Sequence, residues 1–100
     1  MKKTHDSQPR TVIARALTAD FRLKHVVVVD EDIDVEDEAA VWWAISTRSQ
    51  WDKDLLVLSG VNGSVLDPSG DNGLTAKGGI DATVPLGRKS PDRNVVPERV

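Results

Sequence analysis

The sequence predicts a small α/β domain: a mixed sheet built around a strand–helix–strand (βαβ) unit, with helices packed on it, a long glycine-rich loop and an extended C-terminal tail. Three observations carry this reading. Four consecutive valines at positions 26–29 form an unalternated apolar run. An apolar, helix-length segment follows and ends near Arg48. A second short apolar run at positions 55–58 is stopped by Gly60.

In chain order, residues 1–9 read as a polar, flexible start, with Ser7 suited to cap a helix and Pro9 to its first turn. Val12, Ile13, Ala16 and Leu17 recur at helical spacing, with Phe21 one turn further, which predicts a short helix with one apolar stripe. The segment from Lys24 to Asp30 holds His25 and the four valines. β-Branched residues pack well on a pleated surface, and a run without alternation predicts a strand covered on both faces, hence central and parallel. Seven acids then fall within the nine positions 30–38. The last of them, Glu36, Asp37 and Glu38, open a helix, where negative charge meets the positive end of the helix dipole. Ala39, Ala40, Val41, Trp42, Trp43, Ala44 and Ile45 leave that helix apolar nearly all round, which predicts burial on more than one side.

The run at 55–58 completes a strand–helix–strand unit, for which a right-handed crossover is expected. Between Gly60 and Gly79 six glycines fall among Asn, Ser, Pro and Asp, which predicts a long loop. A short strand is expected over residues 80–84, before Pro85. The domain proper spans residues 10–86. Residues 87–100, with Pro91 and Pro97, are expected to be extended and ordered only against another surface.

Composition excludes several classes. The net charge is −3, whereas nucleic-acid binding needs a concentrated basic surface. No apolar run approaches the ~18–20 residues of a membrane span, so no membrane partner is expected. The basic start, Met1-Lys2-Lys3, lacks a following apolar region and is not a secretory signal, which makes the cytoplasm the expected location. The absence of cysteine removes disulfides, thiolate metal sites and thiol nucleophiles.

Three constellations invite a chemical reading. Asp30, Asp32 and Asp34 offer oxygen ligands of the kind Mg²⁺ and Ca²⁺ take, but no Gly at the sixth position and no Glu at the twelfth completes an EF-hand loop. A strand end followed by a solvated helix start is the simpler account. The valines followed by Asp30-Glu31-Asp32, with Asp67 as acceptor and Lys77 further on, mimic a phosphate-accepting receiver domain. Against this, a receiver begins at that strand, and the segment before Asp67 is a poor strand. His5 and His25 lack partners at ligand or triad spacing. Neither glycine-rich nucleotide motif occurs. Trp42 and Trp43 are adjacent and point in different directions on a helix, so one can fill the core while the other meets a partner.

Several segments in order resemble the C-terminal domain of UbiD-type decarboxylases. Lys24-His25-Val26-Val27-Val28-Val29-Asp30-Glu31-Asp32-Ile33-Asp34-Val35 is similar to that family's strand and loop. Val41-Trp42-Trp43-Ala44-Ile45-Ser46-Thr47-Arg48 is similar to the helix that follows, and Asp52-Lys53-Asp54 to the entry of the next strand. Gly63-Ser64-Val65-Leu66-Asp67-Pro68-Ser69 and Lys77-Gly78-Gly79-Ile80-Asp81-Ala82-Thr83 resemble its last two motifs.

The resemblance implies reversible, non-oxidative decarboxylation of aromatic, heteroaromatic or α,β-unsaturated acids with prenylated FMN, a divalent metal and potassium. It also implies that the cofactor and the Glu-Arg-Glu catalytic set lie in the larger N-terminal part. On that basis no catalytic, cofactor-binding or metal-binding residue is expected here. Asp30, Asp32, Arg48, Asp54, Asp67 and Asp81 fall on motif positions and are expected to fix loops through charged hydrogen bonds. With Trp42 and Trp43 they are expected to be structural or interface residues.

Met1 reads as a start, so the chain is expected to be a separate small subunit, or an excised domain, that lacks the family's opening strand. The expected partner is a UbiD-like large subunit carrying the catalytic domain, with a homo-oligomer in isolation. The alternative from a different class is a stand-alone interaction or regulatory module, the receiver-like case included, with no decarboxylase partner.

Overall fold

The computed structural model describes residues 1–88. Five elements follow one another: α1 (Gln8–Ala19), β1 (His25–Val29), α2 (Glu38–Arg48), β2 (Leu55–Asn62) and β3 (Leu74–Ala82). The expected class, a small mixed α/β domain, is the one observed. The arrangement of its strands differs from the expected one. The sheet order is β1-β3-β2, with β1 parallel to β3 and β2 antiparallel to β3. The parallel neighbours are therefore β1 and β3, and the crossover between them contains α2 and β2.

The valine strand is parallel, as expected, but it lies at an edge and not at the centre. Gly78 N–H donates to Lys24 C=O at 3.0 Å, so even-numbered residues of this stretch bond to β3. His25, Val27 and Val29 consequently turn their N–H and C=O groups to the outer edge. There the Met1 amine reaches Val29 C=O at 2.5 Å.

The expected loop is found over residues 63–73, while the two ends of the glycine-rich stretch lie in β2 and β3. β2 runs on to Asn62, and its pairing with β3 shifts between Leu58 and Val61, where Gly60 takes φ +64°. Such a bulge inserts an extra residue and strengthens the local twist. Asp71 and Leu74 exchange backbone hydrogen bonds at 2.9 Å around Asn72 (φ 53°) and Gly73 (φ 81°). Two positive φ values suit a primed hairpin turn, which Asn-Gly favours. The strand expected over 80–84 begins at Leu74, ends at Ala82 and is the central one.

Each helix covers one side of the sheet. α1 buries Pro9, Ile13 and Leu17, and the last two pack with Val28, with Val26, Leu56 and Leu58 around them. Phe21, expected on that stripe, lies exposed in the turn beyond the helix. Gly79 permits the close approach, since a Cβ there would collide with Ile13 Cγ2. Ser7 sits at the helix start without making a side-chain cap. Gln8 Oε1 instead accepts from Thr4 N–H at 2.6 Å and His5 N–H at 3.2 Å.

α2 begins at the cap Asp37, whose carboxylate accepts from Ala40 N–H at 3.2 Å. Ala40, Ala44 and Arg48 form its buried stripe, and Ala40 and Ala44 pack on Val29, Ile33 and Ala82. The expected burial on more than one side is not observed in the single chain: Trp42 is 60% exposed. Spacing explains this, because one packed face of a helix takes positions four apart and leaves the rest outward. Gly87 and Arg88 close a turn, with Arg88 N–H on Pro85 C=O at 3.1 Å. The expected extended tail otherwise lies outside the described residues.

Candidate functional site

The best-formed polar site lies where α2 ends and β1 passes into its loop. Arg48 Nη1 donates to Asp30 Oδ2 and to Asp32 Oδ1, both at 2.9 Å, and Nη2 donates to Asp32 Oδ2 at 2.8 Å. The guanidinium thus engages Asp32 through both carboxylate oxygens, the fork geometry that only Arg supplies. Asp30 Oδ2 also accepts from Val84 N–H at 3.0 Å, which ties the segment after β3 to the same cluster. The guanidinium lies 5.1 Å from the Trp43 ring centroid, within cation–π range. The Arg48 hydrogen bond holds the Asp32 carboxyl below its ordinary value, against the opposing pull of burial. The Asp32 hydrogen bond in turn raises Arg48.

The cation between Asp30 and Asp32 is a guanidinium. Asp34 is not part of the cluster and accepts from Glu36 N–H at 3.0 Å. Among the described residues, no group of three His, Cys, Asp or Glu is placed to hold a metal ion.

Asp67 belongs to a second cluster. Lys24 Nζ donates to its Oδ2 at 2.7 Å, while Ser69 Oγ and N–H donate to Oδ1 at 2.7 and 2.9 Å. Lys24 first, then Ser69, hold this carboxyl well below the usual carboxylate range. Lys24 precedes β1 and Asp30 follows it, so the two clusters mark opposite ends of that strand. The receiver-like alternative fails on this placement and on the sheet. A receiver brings its acids and its acceptor together at one end of a parallel sheet, whereas Asp67 sits in a loop, paired with Lys24, beside a mixed sheet.

Asp54 and Asp81 meet through the backbone. Asp81 N–H donates to Asp54 C=O at 2.8 Å, and Asp54 Oδ2 accepts from Gln50 N–H at 2.7 Å. Asp81 Oδ1 accepts from Thr83 N–H at 3.0 Å and Oγ1 at 2.5 Å. Trp42 faces outward and Trp43 is half-buried on Arg48.

Sequence reasoning missed Lys77 as a structural residue. Only 3% exposed, its ammonium donates to Leu17 C=O at 3.1 Å, Asp20 C=O at 3.3 Å and Phe21 C=O at 2.9 Å. It closes the C-terminal end of α1, whose last carbonyls have no partner within the helix. The available signal was a lone charge inside the apolar and glycine stretch Ala76-Lys77-Gly78-Gly79-Ile80.

Of the concavities on the described residues, two bear on a flavin. A cleft of ≈ 360 Å³ over the Arg48 cluster is lined by Lys2, Lys3, Glu31, the two aspartates and residues 84–88. A trough of ≈ 270 Å³ on the sheet face holds Val27, Leu55, Val57, Ile80, the glycines 78 and 79 and Trp51. The cleft has no aromatic wall and the trough has no Lys or Arg. Neither alone fits both a flavin ring and its phosphate.

Comparison with known proteins agrees with the motifs. The model of the 3-octaprenyl-4-hydroxybenzoate carboxy-lyase C-terminal domain matches residues 1–82. An anhydromevalonate phosphate decarboxylase of Aeropyrum pernix is 54% identical over 86 residues, which is 86% of this chain and 20% of that protein. A gallate decarboxylase of Lactiplantibacillus plantarum is 42% identical over 84 residues, 74% of this chain and 17% of that one. The UbiD-class enzyme HmfF of Pelotomaculum thermopropionicum, solved in complex with FMN, superposes with TM-score 0.84 at 36% identity, covering 100% of this chain and 22% of HmfF. The chain thus spans about a fifth of the length of these relatives. Among the described residues no helix is long and apolar enough to cross a membrane. The chain belongs to the UbiD family of decarboxylases, as its C-terminal domain.

Proposed function

We propose that this chain acts as the small or accessory subunit, equivalent to the C-terminal domain, of a UbiD-type non-oxidative decarboxylase. In this reading it contributes oligomer contacts and part of the substrate-cavity wall. The observation that supports the C-terminal-domain role is the family match across residues 1–82. Prenylated FMN, the divalent metal and potassium belong to the large subunit, which supplies the chemistry of C–C bond cleavage. This chain's own residues do positional work. Arg48 fixes the loop after β1 and the segment from Val84 in one arrangement, giving the assembly a rigid wall. The uncovered apolar surface, with Trp42, Val57 and the trough beside Trp51, suits burial against another chain.

The substrate is an aromatic or α,β-unsaturated carboxylic acid. The anhydromevalonate phosphate decarboxylases, 43–54% identical to this chain, favour an unsaturated acid carrying a phosphate over an aromatic one. The test is co-expression with a UbiD-like polypeptide that lacks this domain. The two should co-purify with flavin absorbance and decarboxylate, while this chain alone is colourless and inactive. If the large polypeptide is equally active without this chain, and the two never associate, the chain is a stand-alone interaction module.

A further inference from the structure

We propose that the cleft over the Arg48 cluster and the smaller concavity beside it form one groove that takes a phosphate monoester group. This deepens the reading above by naming where the anionic end of a phosphorylated substrate is held. The two concavities, of ≈ 360 and ≈ 170 Å³, share Arg48, Val84, Pro85 and Arg88. A volume of this order suits a small molecule and not a macromolecular surface.

The groove carries three cations that have no carboxylate partner among the described residues: Lys2, Lys53 and Arg88. Its acids are partly offset. Arg48 offsets one of the two charges of Asp30 and Asp32, and Asp54 accepts from Gln50 N–H; with Glu31, four acids face five cations in the lining, a formal balance of +1. In a protein with net charge −3, this is a local reversal of sign.

The frame is held in place. Val84 N–H is bonded to Asp30, and Leu86 N–H donates to Asp6 Oδ1 at 2.9 Å. Asp6 pairs with Lys3 at 3.1 Å, and Lys3 Nζ donates to Thr83 Oγ1 at 2.8 Å. The N-terminal segment and the segment after β3 are thereby stitched together, one bearing Lys2 and the other Arg88. Cations on pre-fixed backbone lose little freedom when an anion arrives, which is how preorganisation strengthens binding.

The test is a titration of the full chain with inorganic phosphate, followed by backbone amide NMR. Saturable shifts are expected at residues 2–3 and 84–88, and weakening of about tenfold for Lys2→Ala or Arg88→Ala, the loss of one charge-assisted contact. Both side chains are exposed and outside the Arg48 cluster, so the fold stays intact. Shifts that grow linearly with phosphate, or that chloride at equal ionic strength reproduces, overturn the proposal. FMN and a short unsaturated acid bearing a phosphate ester then separate the sources: the ester should bind at least as well as phosphate. Preferential binding of FMN overturns the substrate assignment. In the assembled enzyme, Arg88→Ala should raise KM for the phosphorylated acid with kcat unchanged, and leave an unphosphorylated acid unaffected. The NMR titration reads on the chain alone, so it stands or falls apart from subunit assembly.

Discussion

Replacing Arg48 by Ala tests whether the cluster beneath the cleft organises the domain. The Arg48 side chain is 3% exposed, yet its two carboxylate partners are in different surroundings. Asp32 is 58% exposed, so water replaces most of what it loses. Asp30 is 21% exposed and retains only Val84 N–H. Removing one partner of a fully buried pair costs about 3–5 kcal/mol, and solvent access at Asp32 lowers that to about 2–3 kcal/mol here. Loss of the contact with the Trp43 ring adds about 0.5–1 kcal/mol. The total, about 3 kcal/mol, corresponds to a Tm lowered by roughly 12–24 °C for a domain of this size.

Urea denaturation followed by near-UV circular dichroism measures this directly. Arg48→Lys should recover less than half of the loss, since an ammonium cannot engage both Asp32 oxygens. Acidity supplies an independent check. The folded Asp32 carboxyl is held below its unfolded value of about 3.9, so its contribution is fully present above that pH and fades as pH falls through the folded value. The gap between wild type and Arg48→Ala should therefore narrow below about pH 4. An Arg48→Ala variant within about 0.5 kcal/mol of wild type, with the gap unchanged in acid, refutes the cluster's structural role.

Other substitutions probe separate contacts. Lys77→Met keeps the side-chain length but frees three carbonyls, and should lower stability by about 1–3 kcal/mol with α1 exchanging its amide protons first; unchanged protection of α1 counts against the cap. Gly79→Ala forces a Cβ into Ile13 and should cost about 1–3 kcal/mol by thermal melting, whereas Gly78→Ala, whose Cβ would meet Leu56 C=O at an ordinary 3.7 Å, should cost less. Trp43→Ala should destabilise the folded chain, while Trp42→Ala should leave folding unchanged and weaken association in light scattering; equal effects of the two on both measurements would dissolve the distinction.

How much of this was legible beforehand depended on the range of the contacts involved. The valine strand, the α2 helix and its acidic start were readable, because β-branching, helical spacing and dipole charge act within a few residues. The expectation that Asp30, Asp32 and Arg48 make charged hydrogen bonds came only from motif likeness, since nothing local says that residue 48 reaches back to 30 and 32. Strand order was misread for a physical reason. A strand–helix–strand sequence usually makes adjacent parallel strands, but here β3 lies between them, with Gly79 letting it pass under Ile13. Gly78 and Gly79 made β3 look like loop, because glycine is disfavoured in strands except where another backbone or side chain approaches closely.

The edge position of β1 is also the point at which sequence and fold diverge most usefully. An unalternated Val run normally signals a strand with neighbours on both sides, yet among the described residues His25, Val27 and Val29 present unpaired backbone groups outward, apart from Val29 C=O. A strand whose composition suits the middle of a sheet, placed at its edge, is expected where the sheet continues in the full assembly. The Met1 amine on Val29 C=O shows that this edge accepts a hydrogen bond from an arriving segment. Amide exchange is the measurement that resolves it. Val27 N–H should exchange quickly in the isolated chain and become protected once the large polypeptide is bound. If it stays unprotected in an active assembly, the edge is solvent-facing by design, and the valine run owes its composition to the two helices alone.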